Sequence, residues 1–180
     1  LLVLDEAYCD TAPSGTAPPI DVSNPQVIRY RTFSKAYGLA GARIGYAVAE
    51  RSTIEAFDKV RNHYGINRVG QLGARAALLD QEYLGNVVAQ IAGARDRISD
   101  VAVRNGFKAI ASAASFVAID CGRDGSFATR VLQGLLERDV FVRKPIIKGL
   151  DHCIRVSCGR DEDLAIFSDA LSDVLATVHA

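Results

Sequence analysis

One stretch, Arg31-Thr-Phe-Ser-Lys-Ala-Tyr-Gly-Leu-Ala-Gly-Ala-Arg-Ile-Gly-Tyr46, gathers most of the side chains able to do chemistry. Lys35 stands between two small hydroxyls, Thr32 and Ser34, and a glycine-rich run that leads to Arg43. Upstream, the short apolar run Leu1 to Leu4 enters Asp5 and, three residues later, Tyr8. An acid, a phenol, hydroxyls, a lysine and an arginine are the parts needed to hold pyridoxal 5'-phosphate. A lysine amine forms a Schiff base with the aldehyde, and a carboxylate pairs with the pyridinium nitrogen. Hydroxyls, backbone N–H groups and a guanidinium hold the phosphate.

Each part also has an ordinary reading. Asp5 at a strand end suits a turn or cap, and a lone lysine in a polar loop is usually a solvated charge. Tyr8 suits a half-buried strand edge. Arg43 suits any carboxylate, and Gly38, Gly41 and Gly45 suit ordinary turns. Their occurrence together, in this order, favours the cofactor reading.

In that reading Asp5, anionic and partly buried, keeps the ring nitrogen protonated through a charge-assisted hydrogen bond. Tyr8 donates to the ring oxygen. Lys35 carries the aldehyde and, once freed, moves a proton, so it must spend time neutral. Thr32, Ser34 and Arg43 anchor the phosphate.

The segment Thr32 to Gly45 resembles the lysine motif of class I/II aminotransferases, which have the fold-type I architecture. Val3-Leu-Asp-Glu-Ala-Tyr8 resembles that family's pyridine-nitrogen motif. Asp5 and Lys35 lie thirty positions apart, as in the histidinol-phosphate aminotransferase branch. Cys153-Ile-Arg-Val-Ser-Cys-Gly159 resembles the strand that supplies the substrate-carboxylate arginine, here Arg155. Arg143, in Phe141-Val-Arg-Lys-Pro145, resembles a second arginine that the branch uses on a distal phosphate. Arg155 also suits a rim charge on a strand, and Arg143 a solvated loop beside Lys144 and Lys148.

The resemblance implies a homodimer with shared active sites, an amino donor and a 2-oxo acid as substrates, and members about twice this length. It also implies that the chain is the C-terminal half. The glycine-rich phosphate turn, the stacking aromatic and an asparagine belong to the other half, so the chain alone is expected to be inactive.

The elements alternate. Leu1–Leu4 reads as a buried strand, Ala12 to Pro25 as a surface loop rich in Pro, Ser and Gly, and Val27–Tyr30 and Ile44–Val48 as further strands. Ser52 reads as an N-cap with Glu55 completing a capping box, opening a helix to about Arg61. A second helical pattern covers Val69 to Leu79. A long helix from Leu84 to Arg104 is closed by Asn105-Gly106. Strands follow at Ser115–Asp120, Val140–Arg143 and Ile154–Ser157, with helices at Ser126–Arg138 and Asp161–Val178, the latter with acids in its first turn.

The expected fold class is α/β: residues 1–90 as part of a large mixed-sheet domain, 91–105 as a connecting helix, and 106–180 as a smaller α+β domain.

Composition agrees with a compact protein. Apolar residues make up 49% of 180, enough for a sizeable core. The 21 basic and 21 acidic side chains cancel, which argues against a nucleic-acid footprint or an anionic membrane patch. No apolar run approaches a membrane span. Cys9, Cys121, Cys153 and Cys158 form no C-x-x-C pair and the three histidines are scattered, so no metal site is expected. Reduced thiols in a cytoplasmic protein are expected, with Cys121 and Cys153 as small buried hydrophobes.

Other classes fit less well. A phosphate-binding ATPase needs its lysine after the glycines, followed by Ser or Thr, and a dinucleotide fold needs G-x-G-x-x-G; neither pattern is present. A pyridoxal-phosphate decarboxylase or lyase of the same fold shares the Asp, Tyr, Lys and Arg parts and stays open. So does a non-catalytic module or an inert fragment.

Overall fold

The computed structural model describes residues 1–178. The chain divides into two compact units, Leu1–Val88 and Ala89–Ala180.

The first unit is built on a mixed sheet of three strands in the order β1 (Leu2–Asp5), β2 (Val27–Thr32), β3 (Gly45–Ala49). β1 runs parallel to β2 and β3 antiparallel to it. The C-terminal ends of β1 and β2 and the N-terminal end of β3 therefore share one edge, where open α/β sheets place their ligands. Gly45 opens β3 because a Cβ there would come 2.6 Å from the Arg31 carbonyl oxygen.

β1 departs from the buried strand expected of its apolar sequence: Leu2 and Val3 are about half exposed. β1 is an edge strand with β2 as its neighbour; Leu4 is partly buried, and Leu2 and Val3 are left open.

Helix α1 spans Arg51–Asp58 and ends short of Arg61. Its N-cap is Glu50 and not Ser52. The Glu50 carboxylate accepts both the Ser52 backbone N–H, at 2.8 Å, and the Ser52 hydroxyl, so Ser52 donates where a cap must accept. Helix α2 (Arg68–Leu79) is capped by Asn67, whose side chain accepts from Gly70 N–H at 2.6 Å.

Helix α3 (Gln81–Arg104) begins ahead of the expected Leu84, because Asp80 accepts from the Tyr83 N–H at 3.0 Å. It stops where the sequence indicates. Gly106 adopts φ 74°, and the next N–H, of Phe107, returns to the Ala102 carbonyl at 2.9 Å.

The second unit packs helices on an antiparallel sheet ordered β4 (Lys108–Ile110), β5 (Phe116–Asp120), β6 (Cys153–Ser157). Helices α4 (Gly125–Leu136) and α5 (Asp161–Val178), with the end of α3, complete the unit. Ile98, Ile119, Phe127, Val131, Leu135, Ile154 and Leu171 form its fully buried centre.

Two sequence expectations change here. β4 was not expected, since its three residues carry too little alternation to register. Val140–Arg143 is not a strand: only Arg143 pairs, through a single antiparallel bridge to Arg155.

All four cysteines are free, and Cys121 and Cys153 are buried. Burial pushes the Cys121 thiol up to about 12. Thiolate is the reactive form, so iodoacetamide at pH 8 is expected to leave Cys121 unmodified in the folded protein and to modify it after denaturation. Peptide mass mapping reads the result. Fast native labelling at Cys121 would contradict the burial described here.

Candidate active site

The lysine loop is packed on its inner side and open on its outer side. Phe33, Ala36 and Tyr37 are buried while Lys35 between them is exposed. The Phe33 ring lies 4.9 Å from that of Tyr37 and 5.6 Å from that of Tyr46, over a small cluster with Ala74. Backbone bonds close the turn: Gly38 N–H to the Lys35 carbonyl at 2.9 Å and Leu39 N–H to the Phe33 carbonyl at 2.8 Å. Burial of the flanking aromatics thus presents one amine outward from a fixed backbone.

Asp5 and Tyr8 reach the same edge from β1. The Lys35 Nζ stands 5.1 Å from the centre of the Tyr8 ring. Asp5 accepts the Ala7 N–H at 3.0 Å through Oδ1. Its side chain is exposed, whereas partial burial was expected; a strand-end carboxylate is buried only when a neighbouring layer covers it, and the edge position of β1 leaves it open.

The hydroxyls and Arg43 join by strand register. Thr32 ends β2 opposite Gly45, and its Oγ1 accepts the Ser34 N–H at 3.1 Å. Phe33 N–H donates to the Ile44 carbonyl at 3.2 Å, which carries the pairing one step further, toward Ser34 and Arg43. Arg43 holds a left-handed backbone at φ 53° and donates from Nη1 to the Ala40 carbonyl at 2.9 Å. A non-glycine residue in that region costs of order 1–3 kcal/mol, and such positions cluster at ligand sites. A carboxylate, an amine, two hydroxyls and a guanidinium on one sheet edge form a donor set that fits a phosphorylated pyridine aldehyde.

The two arginines expected from sequence to meet the substrate, Arg143 and Arg155, lie in the second unit. Arg143 N–H donates to the Arg155 carbonyl at 3.1 Å, and Arg155 N–H returns the bond to Arg143. The two are cross-strand neighbours on one face, which the separate roles expected from sequence did not anticipate. Arg155 is half-buried, with its guanidinium 4.7 Å from the centre of the Phe116 ring. Arg143 is exposed.

Sequence reasoning missed the ionic group beneath the site, namely Glu6, Arg29, Arg31 and Asp10. Its signal was present. Arg29 and Arg31 alternate within the apolar strand Val27–Thr32, so they share a face, and Glu6 lies on the opposite side of β1 from Asp5. Among the described residues no group of three or more His, Cys, Asp or Glu could hold a metal, and no helix is long and apolar enough to cross a membrane.

The chain belongs to the family described as aminotransferase class I and II, whose pattern matches residues 1–171. It is 38% identical over 175 residues to a histidinol-phosphate aminotransferase of Geotalea uraniireducens, covering 97% of this chain and 49% of that protein. The chain therefore spans about half the length of the curated relatives it matches.

Among solved structures, histidinol-phosphate aminotransferase from Sinorhizobium meliloti in complex with pyridoxal-5'-phosphate is 48% identical, with a TM-score of 0.96 over 99% of this chain and 49% of that one. L-threonine-O-3-phosphate decarboxylase from Porphyromonas gingivalis has a TM-score of 0.82 over 97% of this chain and 55% of that one; at 21% identity it shows the shared fold alone. The fold is that of fold-type I aminotransferases, as the sequence implied.

Proposed function

We propose that the intact protein is a pyridoxal-phosphate-dependent aminotransferase. It moves an amino group between an amino acid or amino-phosphate donor, histidinol-phosphate-like or aromatic, and a 2-oxo acid. The observation that carries this reading is Lys35: an exposed amine on a buried, closed loop, beside Tyr8, on the sheet edge that also holds Asp5, Thr32, Ser34 and Arg43.

When bound, the cofactor supplies an aldehyde and an electron sink. Lys35 would hold the aldehyde through its amine, and the same amine would carry a proton at the substrate α carbon. Asp5 would keep the ring nitrogen protonated, and Tyr8 would donate to the ring oxygen. Thr32, Ser34 and Arg43 would hold the phosphate.

The same reading takes residues 1–90 as the end of a large cofactor-binding domain, 91–105 as a connecting helix and 106–180 as the small domain. It has the protein act as a cytoplasmic homodimer. Four free thiols agree with a reducing compartment. The exposed apolar side chains Val60, Tyr64, Val69 and Leu72 agree with a covered surface.

Incubating the intact protein with several amino donors and a 2-oxo acid tests the reading. Keto product and new amino acid in equal amounts support it. Carbon dioxide with a retained amine would establish instead the decarboxylase reading, which the fold accommodates equally.

Arg155 and Arg143 divide the anions in this scheme. Arg155 is held against Phe116 and clamps the donor carboxylate with two parallel bonds; exposed Arg143 is free to reach a second anion. Arg155→Lys is expected to weaken every amino-acid donor, because an ammonium lacks the planar fork. The loss of a charge-assisted bond is about 1.5–3 kcal/mol. Arg143→Ala is expected to weaken phosphorylated donors and leave neutral ones nearly unchanged. Steady-state kinetics with one donor of each kind decides the matter, and equal losses in Arg143→Ala would make it a structural arginine.

A further inference from the structure

The chemistry assigned above makes no use of the ionic cluster under the site. Glu6 is 9% exposed and Arg29 3%. Glu6 Oε1 accepts from Arg29 Nε at 2.6 Å, and Oε2 accepts from Arg31 Nε at 3.0 Å. The backbone of Glu6 is equally engaged: its N–H donates to the Tyr30 carbonyl at 2.9 Å and its carbonyl accepts the Cys9 N–H at 3.1 Å. Arg29 donates further, from Nη1 to the Pro19 carbonyl at 2.8 Å and from Nη2 to the Pro18 carbonyl at 2.7 Å. Arg31 also approaches the Asp10 carboxylate at 4.0 Å.

Three segments meet around the Glu6–Arg29 pair. One carries Asp5 and Tyr8 on either side of Glu6. The second is β2, which delivers Thr32, Ser34 and Lys35. The third is the connection through Pro18 and Pro19, which reads as a plain surface loop in the sequence yet is fastened by Arg29.

A buried ion pair adds little net stability compared with an apolar pair of the same size. What it adds here is placement. A carboxylate that gives each oxygen to a different arginine is satisfied in one position, and a slip of β1 by a residue would turn Glu6 to the other face and leave both arginines unpaired. Burial pushes the Glu6 carboxyl up, but the bonds and charges of Arg29 and Arg31 outweigh it and hold the group below its usual range. The anion is thus present throughout the neutral range.

We propose that Glu6 is a positioning residue of the active site: by taking Arg29 and Arg31 on separate oxygens, it fixes Asp5 and Tyr8 relative to the lysine-bearing end of β2. The proposal rests on the reading of Asp5, Tyr8 and Lys35 as cofactor ligands.

Two variants test it in the intact protein. Glu6→Gln keeps the shape and removes the charge. Glu6→Asp keeps the charge on an arm one methylene shorter, which cannot serve both arginines. Both are expected to raise the dissociation constant for pyridoxal phosphate about tenfold or more, the scale seen when a partner that orients a ligand is lost. Without cofactor, both are expected to speed hydrogen exchange over residues 5–20 and leave α4 and α5 unchanged.

Unchanged cofactor affinity with unchanged exchange over residues 5–20 would overturn the proposal. So would uniform acceleration along the chain, or loss of folding in both variants, since each marks a general stabiliser. If the unmodified protein takes up no cofactor at Lys35, it is the cofactor reading that fails; the exchange measurement still shows whether Glu6 fixes the Asp5–Tyr8 segment.

Discussion

Lys35→Ala is expected to remove covalent capture of pyridoxal phosphate from the intact protein and to lower turnover by several orders of magnitude. Two functions leave with one amine: the link to the aldehyde, and the group that moves a proton during the reaction. The structure gives this amine no rival within its loop. It is the one lysine between Thr32 and Tyr46, and the buried neighbours Phe33, Ala36 and Tyr37 fix the backbone beneath it. Those neighbours remain in Lys35→Ala, so the variant is expected to fold normally.

Borohydride reduction of the loaded protein, followed by peptide mapping, should place the pyridoxyl group on Lys35. Label at Lys59 or Lys108 would remove the basis of the assignment, and so would a Lys35→Ala protein with near-normal turnover.

Asp5→Asn is expected to keep the cofactor bound and to lower turnover on the order of 10²–10³-fold, the usual scale for one preorganised electrostatic contact. The amide has the shape of the carboxylate and can still accept the Ala7 N–H through its oxygen, as Asp5 does at 3.0 Å. What it lacks is the negative charge that holds a proton on the ring nitrogen. The expected signature is a drop in kcat with a small change in cofactor affinity. A near-normal rate would reduce Asp5 to the turn residue that its bond to Ala7 also describes.

These two candidate sites were legible because their signals are local. Lys35 lies within one unbroken motif, and Asp5 and Tyr8 follow a short β-forming run, so their order and spacing mark them as candidates. The same is true of the stop at Asn105-Gly106, where the glycine supplies a left-handed backbone, and of the acids opening α5. Alternation also placed Arg155 within a strand, now β6; its substrate role was implied by the resemblance alone.

The tertiary structure decided what local pattern does not encode. An apolar run reads as a buried strand, but burial requires a neighbour on its face, and Leu2 and Val3 at the sheet edge lack one among the described residues. Ser52 reads as the cap of α1 in the sequence; the direction of one hydrogen bond gave that place to Glu50. Arg143 and Arg155 are twelve positions apart and read as independent, until an antiparallel bridge set them side by side. Glu6 and Arg29 are separated by 23 positions, and only the parallel pairing of β1 with β2 brings them together. Sequence determined which side chains can do chemistry and most of the stretches that form helix or strand, because those properties depend largely on a residue and its near neighbours. Strand pairing and packing determined which charges meet and which faces are covered, because those depend on residues far along the chain.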